Sequence, residues 1–181
     1  MKRSLRLYLI IILLMVCPGV TIGADFRDVE WGMSMDRVKS IETLKLKEQK
    51  DNCLVYALRL ADLDTVLTYH FTEGMLTSAE YRIGEMRMNT TLYVSDFGKI
   101  QTLLRKKYGE PTTYQFVADE SGACLSHGGL TIISLWNQPG TEITHVLTGS
   151  PLRTDHTIWY KSKKHRDIER KAEERKVLNN L

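Results

Sequence analysis

The chain has 181 residues, of which 43% are hydrophobic and 26% are charged. That length and composition suit one ordinary globular domain and exclude collagen-like, low-complexity and wholly disordered chains. The formal net charge is +3, from 25 Lys and Arg against 22 Asp and Glu. Three of the positive residues lie in the first six positions, so the rest of the chain carries 22 of each sign. A neutral body argues against nucleic acid as a partner.

The first 24 residues have the order of a secretory signal peptide. Residues 1–6 are basic, Leu7–Cys17 is an uninterrupted apolar run of 11 residues, and small residues follow at Gly23 and Ala24. We therefore predict export, to a bacterial periplasm first and to the extracellular medium as the alternative, with residues 1–24 removed. The apolar run is shorter than the roughly 20 residues that a spanning helix needs, so we expect no stable membrane insertion.

The following residues predict an α+β fold, in which short helices cover one face of antiparallel β-meanders. Ser34 is a suitable N-cap for a helix over residues 35–43, and the charged residues 44–52 predict a loop. Alternating apolar and polar side chains then predict three strands, over residues 53–60, 65–71 and 75–83. The tight turns between them favour a meander with one face in water.

A second helix is the strongest prediction in the chain. It follows a polar connector over residues 84–93, with Ser95 as its N-cap, and Gly109 and Pro111 end it. Its apolar side chains recur at the spacing of one helix face, at Phe97, Ile100, Leu103, Leu104 and Tyr108. Further strands are predicted over residues 113–117, 130–136, 142–147 and 157–161, with a hairpin turn at residues 137–140.

The order of helix and strands occurs twice, which favours two tandem α-β-β-β units. They would be half-units over residues 25–88 and 89–160 of one domain that spans residues 25–160. The alternative is a single α+β domain with one longer sheet. Residues 161–181 hold eight Lys and Arg and four Asp and Glu, and they predict a charged C-terminal helix or tail.

Two cysteines remain after removal of the first 24 residues. In an oxidising compartment Cys53 and Cys124 are candidates for one disulfide. The alternative is two unpaired thiols, because sequence does not show whether their Cα atoms come within bridging distance.

Residues for catalysis or metal binding are few and scattered. The chain has no glycine-rich phosphate loop, no His-Glu-x-x-His motif and no nucleophile elbow. Cys124 with His127 or His145 is the nearest approach to a thiol nucleophile and its base. Cys124 and His127 could hold zinc only if His145 or His156 completed the site, because a structural zinc site needs four ligands. We therefore predict a non-catalytic protein without metal or cofactor, and we expect His145 to be a core-edge histidine.

The three tryptophans are the candidate interaction residues. Trp31 precedes the first helix, Trp136 ends a strand, and Trp159 lies in the last strand. Most aromatic residues of this chain are expected in or near the core. Should one sheet face be open, large rigid side chains such as these would anchor a protein interface.

Three segments together resemble a broad group of small exported bacterial proteins of unknown function. They are FRDVEWGMSMDRV (residues 26–38), YHFTEGML (residues 69–76) and DFGKIQTLLRKKYGEP (residues 96–111). The organisation is also similar to the helix-plus-meander units of the outer-membrane assembly lipoprotein BamE and of β-lactamase inhibitor protein. Val16 stands where a lipoprotein signal before Cys17 would have a small residue, so the likeness to BamE does not extend to a lipid anchor.

This resemblance implies an architecture but no active site. It favours an exported, periplasmic binding or accessory protein that acts through contacts with an unidentified exported or envelope protein. Two alternatives stay open at this point: an inhibitor-like protein that occludes another exported protein, and a hydrolase that uses Cys124 and His127. The oligomeric state is not predicted.

Overall fold

A computed structural model of the chain describes residues 25–84, 90–117, 130–150 and 153–180. Three helices have the bounds α1 Met35–Ile41, α2 Thr90–Tyr108 and α3 Arg166–Asn179. The first four strands are β1 Leu46–Lys50, β2 Cys53–Leu60, β3 Leu63–Thr72 and β4 Met75–Ile83. The next four are β5 Thr113–Val117, β6 Leu130–Asn137, β7 Thr141–Ser150 and β8 Arg153–Ser162.

All eight strands of the described ranges belong to one antiparallel sheet, in the order β1-β2-β3-β4-β8-β7-β6-β5. The first four strands stay together on one side, the last four stay together on the other, and β4 pairs with β8 at the centre. α1 precedes the first set and α2 precedes the second. The predicted α+β class with antiparallel meanders is therefore confirmed, with one continuous sheet.

α1 and α2 pack on the same face of this sheet. Val38 of α1 and Ile100 and Leu104 of α2 join one buried cluster with the inward side chains of β2, β3, β4 and β8. A smaller cluster lies under the start of α2, where Phe97 packs with Leu130 and other apolar side chains of β6 and β7. Burial of this apolar face supplies the main driving force for folding.

An ion pair between the buried Glu42 carboxylate and the partly exposed Arg27 guanidinium fixes the end of α1. Both carboxylate oxygens of Glu42 accept from the guanidinium of Arg27, at 3.0 and 3.1 Å, and the Tyr69 hydroxyl donates to Glu42 Oε2 at 2.6 Å. The Leu44 amide donates to the same carboxylate. Burial by itself would raise the pKa of Glu42, but these hydrogen bonds and the charge of Arg27 outweigh it, so the pKa lies below its ordinary value.

α3 lies against β3 on the other face of the sheet. Arg175 pairs with Glu73 in the β3–β4 turn at 2.5 Å, and Arg166 pairs with Glu142 of β7 at 2.9 Å. None of its side chains is buried, which agrees with the solvated helix that the charge pattern predicts.

Three predictions about this fold are wrong. Residues 44–52 were expected to form a loop, but they contain β1 at the sheet edge. All five residues of β1 are exposed, so burial imposes no alternation that the sequence could display. α2 starts at Thr90 and not at Ser95, which is an exposed residue within the helix, and Leu103 is 47% exposed on its flank.

The other predicted elements are found close to their expected places. Ser34 caps α1 by accepting a hydrogen bond from the Arg37 amide. α2 ends at Tyr108, directly before Gly109, whose φ of 81° is the left-handed conformation that glycine adopts readily. β2, β4 and β5 have the predicted bounds. The hairpin at residues 137–140 closes with a bond from the Gln138 amide to the Thr141 carbonyl at 3.0 Å.

Candidate interaction surface

Alternation along the strands puts a second set of side chains on the face away from α1 and α2. We call this the open face. One row in register crosses six strands, through Val55, Thr68, Glu80, Trp159, Thr144 and Leu135. Of the described helices, α3 lies against this face near β3, and α1 and α2 lie on the other side.

Trp159 is the centre of the open face. Its ring stacks on His70 of β3, with centroids 5.3 Å apart and planes 26° apart, although β4 lies between their two strands. The two side chains therefore lean over β4 and cover it. Ser78 and Glu80 of β4 are each only 5% exposed as a result.

Charged side chains complete what we call the Trp159 cluster, formed by Trp159, His70, Glu80, Arg82 and Lys161. The Lys161 ammonium lies 5.4 Å from the Trp159 ring centroid, within the range of a cation–π contact. Arg82 bridges two carboxylates, Glu80 at 2.7 Å and Asp155 at 3.1 Å. The cluster thus holds the Trp159 ring in place, and Arg82 and Lys161 are its exposed members.

Burial changes the titration of two groups in this cluster. It raises the pKa of Glu80 above its ordinary value, against the opposing effect of Arg82. It lowers the pKa of His70, whose ring is therefore neutral at pH 7. The His70 Nε2 is buried, has no hydrogen-bond partner and lies 4.0 Å from Glu80 Oε2.

The open face beyond Trp159 is uncharged over much of β6 and β7. Thr144 lies directly beside Trp159, and Val146, Ile133 and Leu135 continue the surface toward the β5 edge. All four side chains are half-buried. A partner that covered this area would remove further apolar surface from water.

The other two tryptophans lie elsewhere. Trp136 is 1% exposed, packs in the core and donates its indole N–H to the Gly109 carbonyl at 2.8 Å. Trp31 is half-buried at the helix side, where it stacks with Phe26 and donates to Thr141 Oγ1 at 2.8 Å. Of the three predicted interaction aromatics, Trp159 alone lies on the open face.

Of the residues considered for catalysis, metal binding or a disulfide, the structure describes Cys53, His145 and His156. Cys124 and His127 lie outside the described residues, so the predicted disulfide and the thiol hypothesis stay untested predictions. Cys53 is half-buried at the start of β2 and forms no disulfide with another residue of the described ranges. Within the described ranges there is no group of three or more His, Cys, Asp or Glu side chains that could hold a metal ion.

His145 lies in the core under α2. Its Nδ1 donates to Gln101 Oε1 at 3.0 Å, so the Nε2 of the neutral ring accepts from His156 Nε2 at 2.9 Å. Phe97 stacks flat on its ring, with centroids 3.9 Å apart. His145 and His156 are 0% and 2% exposed, so neither can meet a substrate in this conformation.

This histidine network is kept neutral by its surroundings. Burial lowers the pKa of His145 well below its ordinary value, and the charge of His156 adds to this effect. Burial lowers the pKa of His156 to about 4, although Asp96 opposes the change. Sequence reasoning identified His145 on the apolar face but not its partners, because Gln101 is 44 residues away on another element.

Comparisons of the chain with protein-family models, with curated proteins and with solved structures each gave no match. None of the helices in the described ranges combines the length and the apolar character that crossing a membrane would require. Support for a function therefore comes from the open face and its Trp159 cluster.

Proposed function

We propose that the protein is an exported, non-catalytic binding or accessory protein that contacts another exported or envelope protein through its open face. The Trp159 cluster carries this proposal. Trp and Arg are the side chains that most often dominate the free energy of protein association, and they do so at the centre of an interface with polar groups around them. Trp159 and Arg82 have that arrangement at the middle of the sheet.

The export part of the proposal is supported by the sequence pattern of residues 1–24. A basic start, a short apolar run and small residues before Asp25 are the three parts of a secretory signal. A periplasmic location is the more specific form of this proposal.

We propose further that the two halves of the sheet arose by duplication of one unit. Each half of the sheet has one helix followed by four strands, and the last strands of the two halves, β4 and β8, pair antiparallel. Two copies of one ancestral unit joined at their final strands would give this order. The open face would then extend across both units.

The experiment compares two threonine-to-arginine substitutions on opposite sides of the molecule. Thr144 is half-buried beside Trp159, whereas Thr102 is exposed on α2. Thr144→Arg should abolish co-purification of a discrete envelope protein with this chain, and Thr102→Arg should leave co-purification unchanged. The melting temperatures of both variants should lie within a few degrees of that of the unmodified protein. Equal retention or equal loss for the two variants would contradict an interface on the open face.

The same preparation tests export. The intact mass of the protein from the envelope fraction should correspond to a chain that begins at Ala24 or Asp25. Recovery of the full chain with Met1 from the cytosol would contradict export. A fall in the activity of the captured protein upon binding would identify the inhibitor-like role instead of the accessory one.

A further inference from the structure

The sheet has two edges, and they differ in how they are protected from other strands. An edge strand presents unpaired backbone N–H and C=O groups that can template pairing with another chain. Natural proteins protect such edges with charged side chains, especially Lys, and with β-bulges. Among the strands of the described ranges, the two edges are β1 and β5.

β1 has both forms of protection. Its sequence, Leu-Lys-Glu-Gln-Lys, carries two lysines and a glutamate, all exposed. Its pairing with β2 is also irregular, with a register shift between Leu46 and Glu48. An incoming strand would meet both charge and a distorted backbone on this side.

β5 has neither. Its sequence, Thr-Tyr-Gln-Phe-Val, has no charged residue, and its five residues pair with β6 in unbroken register. Three of its side chains are large, hydrophobic and more than half exposed, at 52% for Tyr114, 56% for Phe116 and 58% for Val117. Tyr114 and Phe116 pair with the buried Ser134 and Ile132, so both lie on the helix side of the sheet.

We infer that β5 is an association edge at which two copies of this chain pair antiparallel, β5 against β5, to join their sheets. β5 is complementary to itself when the pairing is centred on Gln115. In that register Tyr114 of each copy lies opposite Phe116 of the other, and aromatic cross-strand pairs stabilise a sheet. No like charges are brought together, because the strand has none. A symmetric contact of this kind closes as a dimer.

β1 cannot form the same contact. Pairing of β1 with another β1 would bring two strongly charged strands together across an irregular backbone. The expected product is therefore a dimer through β5 and not an open chain of sheets.

The register predicts a charge-complementation experiment at Gln115, which is exposed and would face its own copy across the two-fold axis. The protein is purified in the form that is present in cells. Its oligomeric state is then measured by analytical ultracentrifugation over a range of concentrations. The unmodified protein should sediment as a concentration-dependent dimer. Gln115→Lys and Gln115→Glu should each weaken the dimer about five-fold or more, since like charges then lie directly opposite. An equimolar mixture of the two variants should restore it.

The matched control is Gln49→Lys, which puts the same charge on the exposed edge strand β1 and should leave the dimer unchanged. Circular dichroism of every variant checks that the fold is retained. A monomer at all concentrations overturns the proposal. Pairing of β5 with a strand of a different protein would then be the alternative. A dimer that survives Gln115→Lys unchanged, or that Gln49→Lys disrupts equally, also overturns it.

Discussion

The two faces of the sheet are built from the same strands but have different chemistry. The helix-covered face holds the large buried side chains, and its ionisable groups are enclosed in networks around Glu42 and His145. The open face carries polar side chains around Trp159 and apolar ones toward the β5 edge, and most of them are half-buried, although Ser78 and Glu80 are buried. Stability thus comes mainly from one face, which leaves the composition of the other free to serve binding.

The largest expected effect on stability is on the helix-covered face, at Trp136. Trp136→Ala would leave a cavity in the core and remove the indole donor of the Gly109 carbonyl. We expect the free energy of unfolding to fall by about 4 kcal/mol. Urea unfolding followed by circular dichroism measures this loss, and a change below about 1 kcal/mol would contradict the placement of Trp136 in the core.

The second prediction concerns the ion pair that ends α1. Glu42→Ala should lower the free energy of unfolding by about 3 kcal/mol, since Arg27 and Tyr69 would lose their shared acceptor. Glu48→Ala is the matched control, because Glu48 is an exposed residue on β1 and its removal should change stability by at most about 0.5 kcal/mol. Similar losses for the two variants would argue against a buried network.

The third prediction is a pH dependence that arises from His156. The unfolded ring has a pKa of about 6.5, and burial lowers the folded pKa to about 4, so the unfolded chain binds the proton more readily between these values. The stabilising contribution is complete above about pH 6.5 and is lost as the pH falls toward 4, by about 3 kcal/mol for this group.

His156→Gln tests this assignment because the amide can replace the hydrogen bond to His145 but cannot take up a proton in this range. Urea unfolding at several values between pH 7 and pH 4 should show a flatter loss of stability in the variant. Parallel curves for the variant and the unmodified protein would mean that another group causes the acid sensitivity.

The smallest effect on stability is expected on the open face. Trp159→Ala should lower the free energy of unfolding by only about 1 kcal/mol, because the ring is half-buried and its stacking partner His70 lies on the open face and not in the core. The same substitution should abolish partner binding. A loss of stability as large as that of Trp136→Ala would remove the distinction between the two faces.

The sequence was informative where polar and apolar side chains alternate along a strand. β2 and β4 were predicted with their observed bounds because their inward and outward side chains differ in polarity. β1 was missed because it is exposed on all five residues, and the first turn of α2 was missed because Ser95 looks like a cap although the helix begins before it. A local sequence pattern reveals an element when one of its faces is buried, and neither β1 nor the first part of α2 has such a buried face.

The candidate surface was predictable only in part. On β8, Ile158 and Tyr160 are the buried pair, so Trp159 between them had to lie on the other face, and this alternation was available in the sequence. The stacking of Trp159 on His70 was not, because it joins two strands that are separated by β4. Long-range registers of this kind depend on the order of strands in the sheet.

The most direct measurement of the central claim is photo-crosslinking in the native cells, with a photoreactive amino acid at position 144 on the open face or at position 102 on α2. The account predicts one discrete adduct with an exported or envelope protein from position 144, its loss when Trp159→Ala is added, and none from position 102. Adducts of equal yield from both positions, or none from position 144, would contradict it.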